Sequence, residues 1–132
     1  MTVETTSVVA KDVHYRQVTA PSYLTGTFTQ DDTDNHDFIL DARGKGRLTV
    51  AVNNPGNQSL TFTVYGMHAS GGTVGDAGTF VIGAAVTVAN AAQGYEVVND
   101  PFPWYLVRIV HAVAPTDDPA KTCTLYASFS AF

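Results

Sequence analysis

Residues 37–67, DFILDARGKGRLTVAVNNPGNQSLTFTVYGM, decide the reading of this chain. They hold three short apolar runs, separated by Arg43-Gly44-Lys45-Gly46 and by Asn53-Asn54-Pro55-Gly56-Asn57-Gln58-Ser59. Leu48, Val50 and Val52 alternate with Arg47, Thr49 and Ala51, while Leu60, Phe62 and Val64 alternate with Thr61, Thr63 and Tyr65. Successive side chains of a strand point to opposite faces, so a period of two marks half-buried strands. Pro55 presets φ at the first corner of a turn, and Gly56 can take φ > 0 at the second. The stretch reads as a β-meander feeding one face of a sandwich. It holds no catalytic chemistry.

Toward the N-terminus, Val13–Thr19 and Tyr23–Thr29 read as strands split by Ala20-Pro21-Ser22, and the polar run from Gln30 to Asp37 reads as a loop. Toward the C-terminus, His68 to Gly78 is a glycine-rich loop. Residues 79–93, TFVIGAAVTVANAAQ, admit two readings. Their alanines allow a helix from Ala84 to Gln93. Val81, Ile82, Val86, Thr87 and Val88, with Gly83 as a break, favour two short strands and then a turn. Gly94–Val98 is a further extended piece. Pro101 and Pro103 impose an extended entry into Trp104–Val113, because a residue before proline is pushed out of the helical region. That run is apolar on both faces and reads as a central strand interrupted by Arg108. A loop from Ala114 to Lys121 leads to the last strand, Thr122–Phe132. About nine or ten short strands with turns between them specify an all-β chain. The expected architecture is a single antiparallel β-sandwich, jelly-roll-like, over residues 13–132, with an extended N-terminal arm over 1–12.

The totals narrow the function. At 132 residues the chain has the size of one domain. Only 14% of it is charged, well below the roughly one quarter usual for a globular domain, so Thr, Ser, Asn and Gln carry the surface. The net charge of −5, with Arg43, Lys45 and Arg47 as the one basic cluster, argues against nucleic acid as a partner. Cys123 is the single cysteine, which excludes an internal disulfide. It alternates with Leu125, Ala127 and Phe129 on one face, so a buried small hydrophobe is expected. The first residues lack the basic start and long apolar core of a secretory signal. No run approaches the roughly 18 apolar residues of a membrane helix. Both point to a protein made and kept in a reducing cytoplasm, or assembled there into something larger, with no membrane partner.

Each cluster that suggests chemistry has a plainer reading beside it. Asp31, Asp32, Asp34, Asp37 and Asp41 supply the clustered carboxylates a calcium ion wants, yet no EF-hand glycine and glutamate can be placed; a solvated acidic loop is the alternative. As the acid and base of a glycosidase the same cluster lacks the required separation across a cleft. His14, His36, His68 and His111 show no ligand spacing. Ser70-Gly71-Gly72 precedes a β-branched run, where a phosphate loop would open a helix and carry Lys-Ser or Lys-Thr. With no Gly-x-Ser-x-Gly elbow either, no catalytic residue, cofactor or metal is expected, and the chain is read as non-enzymatic. The aromatics Tyr15, Tyr23, Tyr95, Phe102, Trp104 and Tyr105 stand as core residues, or, where exposed, as sugar-stacking or interface residues.

The pattern Phe38-x-Leu40-Asp41-x-Arg43-Gly44, Leu48-Thr49-Val50-x-Val52-Asn53-Asn54-x-Gly56 and Phe62-x-Val64-Tyr65-Gly66, with Pro101-Phe102-x-x-Tyr105-Leu106-Val107-Arg108 after it, resembles small β-sandwich structural proteins of tailed bacteriophages. The resemblance covers residues 37–132. It implies a head decoration or cementing protein that oligomerises, a trimer favoured, and binds the major capsid protein in the virion, after assembly in the host cytoplasm. A tail or baseplate sandwich that binds a host-surface glycan is the alternative it leaves open. The interface residues expected on this reading are Val3, Val8, Val9, Tyr15, Tyr23 and Trp104, together with the first twelve residues and the glycine-rich loop.

Overall fold

The computed structural model describes residues 2–5 and 22–130, with side chains over 23–130. They form nine strands: β1 (Thr2–Thr5), β2 (Ser22–Gln30), β3 (His36–Asp41), β4 (Arg47–Asn54), β5 (Leu60–Met67), β6 (Thr79–Val88), β7 (Ala92–Val98), β8 (Trp104–Val110) and β9 (Lys121–Ser130). One sheet runs β1-β3-β8-β5-β6 and the other β2-β9-β4-β7. Every pairing is antiparallel except that of β1, which lies parallel to β3 with Thr2 opposite His36. The all-β sandwich expected from the alternating runs is the fold observed. The rest of the proposed arm, including Val8 and Val9, and the proposed strand Val13–Thr19 lie outside the described residues.

The core is what the alternation specifies. Leu48, Val50 and Val52 from β4 and Leu60, Phe62 and Val64 from β5 are all fully buried, as are Leu125, Ala127 and Phe129 from β9. Cys123 lies among them, and burial pushes its thiol up to about 12, so it packs as a small hydrophobe and does not react. β8 sits between β3 and β5 at the centre of its sheet. That is why it reads as apolar on both faces: Tyr105, Val107 and Ile109 face the core, and Leu106 is also buried on the outer side.

Four local expectations change. Residues 37–67 do not form a meander, because β3 and β5 belong to one sheet and β4 to the other. The apolar faces of β4 and β5 meet across the sandwich, so the segments on either side of β4 cross between layers. Gly56 accordingly makes no φ > 0 corner. It is buried, and a Cβ there would lie 3.2 Å from the Gln30 amide and 3.3 Å from the Asp117 carboxylate. The acidic loop is shorter than expected, since Gln30 closes β2 and His36 and Asp37 open β3. Residues 79–88 are one strand with a bulge: Phe62 pairs Val86 and Val64 pairs Ile82, leaving Gly83 to Ala85 opposite Thr63. Gly83 takes φ 72° there, a conformation that glycine reaches without strain.

Candidate functional site

Three places gather polar or aromatic side chains. The first is a buried network at the end of the sandwich that carries the loops after β2, β4 and β8. Asn54 fixes its polarity. Its Oδ1 accepts from the Gly56 backbone N–H at 3.2 Å, and its Nδ2 donates to the carbonyls of Gln58 at 2.8 Å and Ala89 at 3.1 Å. Gln30 must then turn its Nε2 toward Asn54 Oδ1, 2.7 Å away, and the same nitrogen lies 2.9 Å from His111 Nε2. A nitrogen that donates to both leaves His111 Nε2 as an acceptor, with the ring proton on Nδ1. Burial, and the neighbouring His36 after it, hold the His111 pKa below the usual histidine range. His36 stacks on Phe28 at 3.9 Å and meets the Asp32 carboxylate at 3.0 Å. The His36 hydrogen bond holds Asp32 below the usual carboxylate range. Gln30 Oε1 is buried with no partner among the described residues. This is a loop-tying network, with no side chain set to attack a substrate.

The five aspartates of the sequence pattern are divided rather than gathered. Asp32 serves His36. Asp37 lies opposite Arg108 in register and accepts from its Nε at 2.8 Å and Nη2 at 2.9 Å. Asp41 accepts from Arg43 Nε at 3.0 Å and Nη2 at 2.8 Å. Three of the carboxylates are thus committed to cationic or imidazole partners, and among the described residues no group of three His, Cys, Asp or Glu side chains is placed to hold a metal.

The second place is the opposite end of the β3-containing sheet. The Arg43 guanidinium, held by Asp41, lies 4.6 Å over the Trp104 ring. On the core side, Phe102 sits 6.3 Å from Tyr105, 6.2 Å from Phe80 and 5.8 Å from His68. The Tyr105 hydroxyl donates to the Asp100 carbonyl at 2.7 Å and accepts from the Phe102 N–H at 3.2 Å, which anchors the 99–103 segment. Gly66 exists for this packing: a Cβ on it would be 2.3 Å from Phe102.

The third place is the outer face of the β2-β9-β4-β7 sheet. Three rows cross it in register: Tyr23–Ser128–Thr49–Val97, Thr25–Tyr126–Ala51–Tyr95 and Thr27–Thr124–Asn53–Gln93. Arg47, at the rim of β4, is the one formal charge among its described outward positions. Tyr23 is 61% exposed, Tyr95 69% and Val97 43%. Glu96, between the last two in sequence, points the other way, into the seam between β7 and the β6 bulge, where its Oε2 is buried without a partner among the described residues. Desolvation raises its pKa. An inward charge on an edge strand discourages a further strand from pairing there.

Of the interface residues expected from sequence, Tyr23 lies on the Thr/Tyr face and Trp104 under Arg43 on the other sheet, so the structure does not bring them together. Val3 falls on β1, whose side chains are not described, and Val8, Val9 and Tyr15 lie outside the described residues. The glycine-rich loop flanks the Phe80–His68 cluster. Sequence reasoning missed Tyr95, Tyr126 and Val97 as one surface, because their adjacency depends on strand order.

No protein-family model matches the chain, and no curated protein matches it. Solved structures do resemble it. PliG of Aeromonas hydrophila, a periplasmic inhibitor of g-type lysozyme, has 21% identity and a TM-score of 0.48, with 98% of each chain covered. A mutant of the Escherichia coli PliG has 12% identity and a TM-score of 0.39, covering 98% of this chain and 100% of that one. CorA, a surface-associated copper-binding protein of Methylomicrobium album BG8, has 11% identity and a TM-score of 0.49, covering 82% and 93%. At these identities the likeness is one of fold.

These structures are periplasmic and surface-associated bacterial proteins, not virion components. The reading as a phage head decoration protein, its tail or baseplate glycan-binding alternative and the virion location are corrected: no phage family model or curated phage protein matches the chain, and none of these three structures is a virion protein. The motif that suggested a phage lineage has a packing explanation instead. Phe38, Leu40, Leu48, Val50, Val52, Phe62 and Val64 are core positions, Asp41 and Arg43 pair with each other, Gly66 makes room for Phe102, and Arg108 answers Asp37. Such a pattern marks a β-sandwich rather than a capsid partner.

Proposed function

We propose that the chain is a non-enzymatic protein-binding module that docks its partner through the outer face of the β2-β9-β4-β7 sheet. The observation that carries this reading is the chemistry of that face: rows of Thr, Ser and Tyr, two tyrosines more than half exposed, and charge only at the rim. Charge depletion with tyrosine enrichment characterises the centre of protein interfaces. The outer face of the other sheet has a different character, with Asp37–Arg108 and Asp41–Arg43 pairs set among its apolar residues. Four strands about 4.8 Å apart, each rising about 3.3 Å per residue over seven or more residues, give a flat footprint of about 500 Å². A stable protein interface needs about 800 Å² per partner, so the docked partner, a protein surface equally free of formal charge, also leans on the flanking loops.

The test places a charge in the centre of the face. Thr49→Arg sits at an outward, half-buried position where a surface substitution leaves stability within about 0.5 kcal/mol. Full-length wild-type and Thr49→Arg chains immobilised side by side should differ in the proteins they retain, with a partner held by the first and lost by the second. Equal retention of every protein by the two chains overturns the reading.

A further inference from the structure

We infer that Glu96 and the β6 bulge beside it form a second binding site, a slot in the β6–β7 edge that takes an arginine side chain of a partner protein. The site stands on its own observations, apart from the Thr/Tyr face that borders it across β7.

The carboxylate is held where the fold gains nothing from it. Glu96 lies opposite Val50 in register, on the core-facing side of β7, and its Oε2 is buried with no partner among the described residues. Desolvation with nothing to offset it raises its pKa. Asp32, Asp37 and Asp41 differ, each meeting a histidine or an arginine at 3.0 Å or less. The strand across the seam is shaped around Glu96. The bulge leaves Gly83 to Ala85 out of register, Gly83 takes φ 72°, and a Cβ on it would collide with Glu96 Oε1. A charge that only repels a further strand needs no such accommodation.

The missing cation comes from another molecule. Arg43 and Arg108 are committed to Asp41 and Asp37, Lys45 lies over Phe129, Arg47 has an interaction of its own, and Lys121 stands on β9, two strands from β7. Residues 6–21 join β1 to β2, the edges of the two sheets farthest from β6 and β7. The chemistry of the slot selects what enters. Gly83, Ala84 and Ala85 are exposed, so the seam opens to solvent there, and the exposed Val81, Tyr95 and Val97 leave apolar surface on either side of it. An arginine packs its methylene stem on such surface and presents a weakly hydrated planar fork that matches a carboxylate. Calcium or magnesium wants about six oxygens, and among the described residues no three acidic, histidine or cysteine side chains gather. The net charge of −5 draws a basic partner toward the chain.

The probe is the tripeptide acetyl-Leu-Arg-Leu-amide, titrated into the full chain and followed by backbone amide shifts in NMR. Saturable shifts at Gly83, Ala84 and residues 95–97 are expected, with dissociation at about 1 mM for so small a ligand. The citrulline peptide, which keeps the shape and removes the charge, should bind about tenfold more weakly or worse, and so should the arginine peptide to Glu96→Gln. Because Glu96→Gln relieves the desolvated charge, it should melt above the wild type at pH 7, so its loss of binding is not a loss of fold. No saturable shift at these residues up to about 20 mM peptide, or equal binding by the citrulline peptide or by Glu96→Gln, overturns the inference. Calcium chloride saturating the same residues where the arginine peptide does not would assign the slot to a metal and overturn it too. None of these outcomes bears on the Thr/Tyr face, which the Thr49→Arg comparison tests separately.

Discussion

Gly66→Ala is the substitution whose cost can be worked most fully from the structure. The added Cβ would lie 2.3, 2.5 and 2.6 Å from Cδ2, Cγ and Cε2 of Phe102. Carbon atoms in contact sit about 3.5 Å apart or more, so the ring or the strand must give way by about 1.2 Å. Neither does so freely. Gly66 is paired on both sides, with Tyr105 of β8 and Phe80 of β6. Phe102 is packed on Tyr105, Phe80 and His68, and its N–H is held by the Tyr105 hydroxyl. Overpacking of this kind costs about 1–3 kcal/mol, partly offset by the 0.5–1 kcal/mol or so that alanine gains over glycine in a strand. A net loss of about 1–2 kcal/mol is expected. With an unfolding entropy of about 2.1 cal/mol/K per residue, it lowers Tm by about 4–7 °C for 132 residues. Phe102→Ala removes the obstacle, so the double variant should be more stable than the sum of the single losses by about 1 kcal/mol or more in urea unfolding. Additivity within about 0.5 kcal/mol, or a Gly66→Ala chain as stable as wild type, would refute the packing argument.

Other substitutions probe the remaining interactions. Asp37→Asn leaves Arg108 facing a neutral partner in a largely buried pair and should cost about 3 kcal/mol, read as a lower urea midpoint at unchanged slope; Asp37→Leu with Arg108→Met should cost less. For His111, the folded state excludes a proton that the unfolded chain accepts at the ordinary value of 6.5, so stability should fall as pH drops below that point. His111→Gln should flatten that slope below pH 6.5, and an unchanged slope would show that the buried His111 imidazole does not govern it. Glu96 has the opposite sign: its raised pKa makes ionisation costly in the fold, so Glu96→Gln should melt above the wild type at pH 7 and lose that advantage below the ordinary value of 4.5. Thermal melts at pH 7 and pH 4 check it.

The strands were legible because alternation is local. Leu48, Val50 and Val52, or Leu60, Phe62 and Val64, announce a face by spacing alone, and each of those residues is in the core. What alternation cannot state is which sheet receives the strand. The β4 and β5 faces meet equally well side by side or across a sandwich, and the choice rests on long-range contacts such as Gln30 and Asp117 closing around Gly56. The same limit explains the acidic segment. Asp31, Asp34 and Asp37 look alike in sequence, but only Asp37 has Arg108 opposite it, 71 residues away. The Thr/Tyr face was hidden for a related reason, since Tyr23, Tyr126 and Tyr95 become neighbours only through the order β2-β9-β4-β7. Trp104, the residue most conspicuous in sequence, is occupied by Arg43.

The most direct measurement is residue-resolved hydroxyl-radical labelling of side chains, in the dilute chain and in the chain bound to its partner. Tyr23, Tyr95 and Tyr126 should lose reactivity on association, while Trp104, His68 and Phe80 keep theirs. Protection of Trp104, His68 and Phe80 with Tyr23 and Tyr95 unchanged would contradict the assignment and move the contact to the aromatic end of the other sheet.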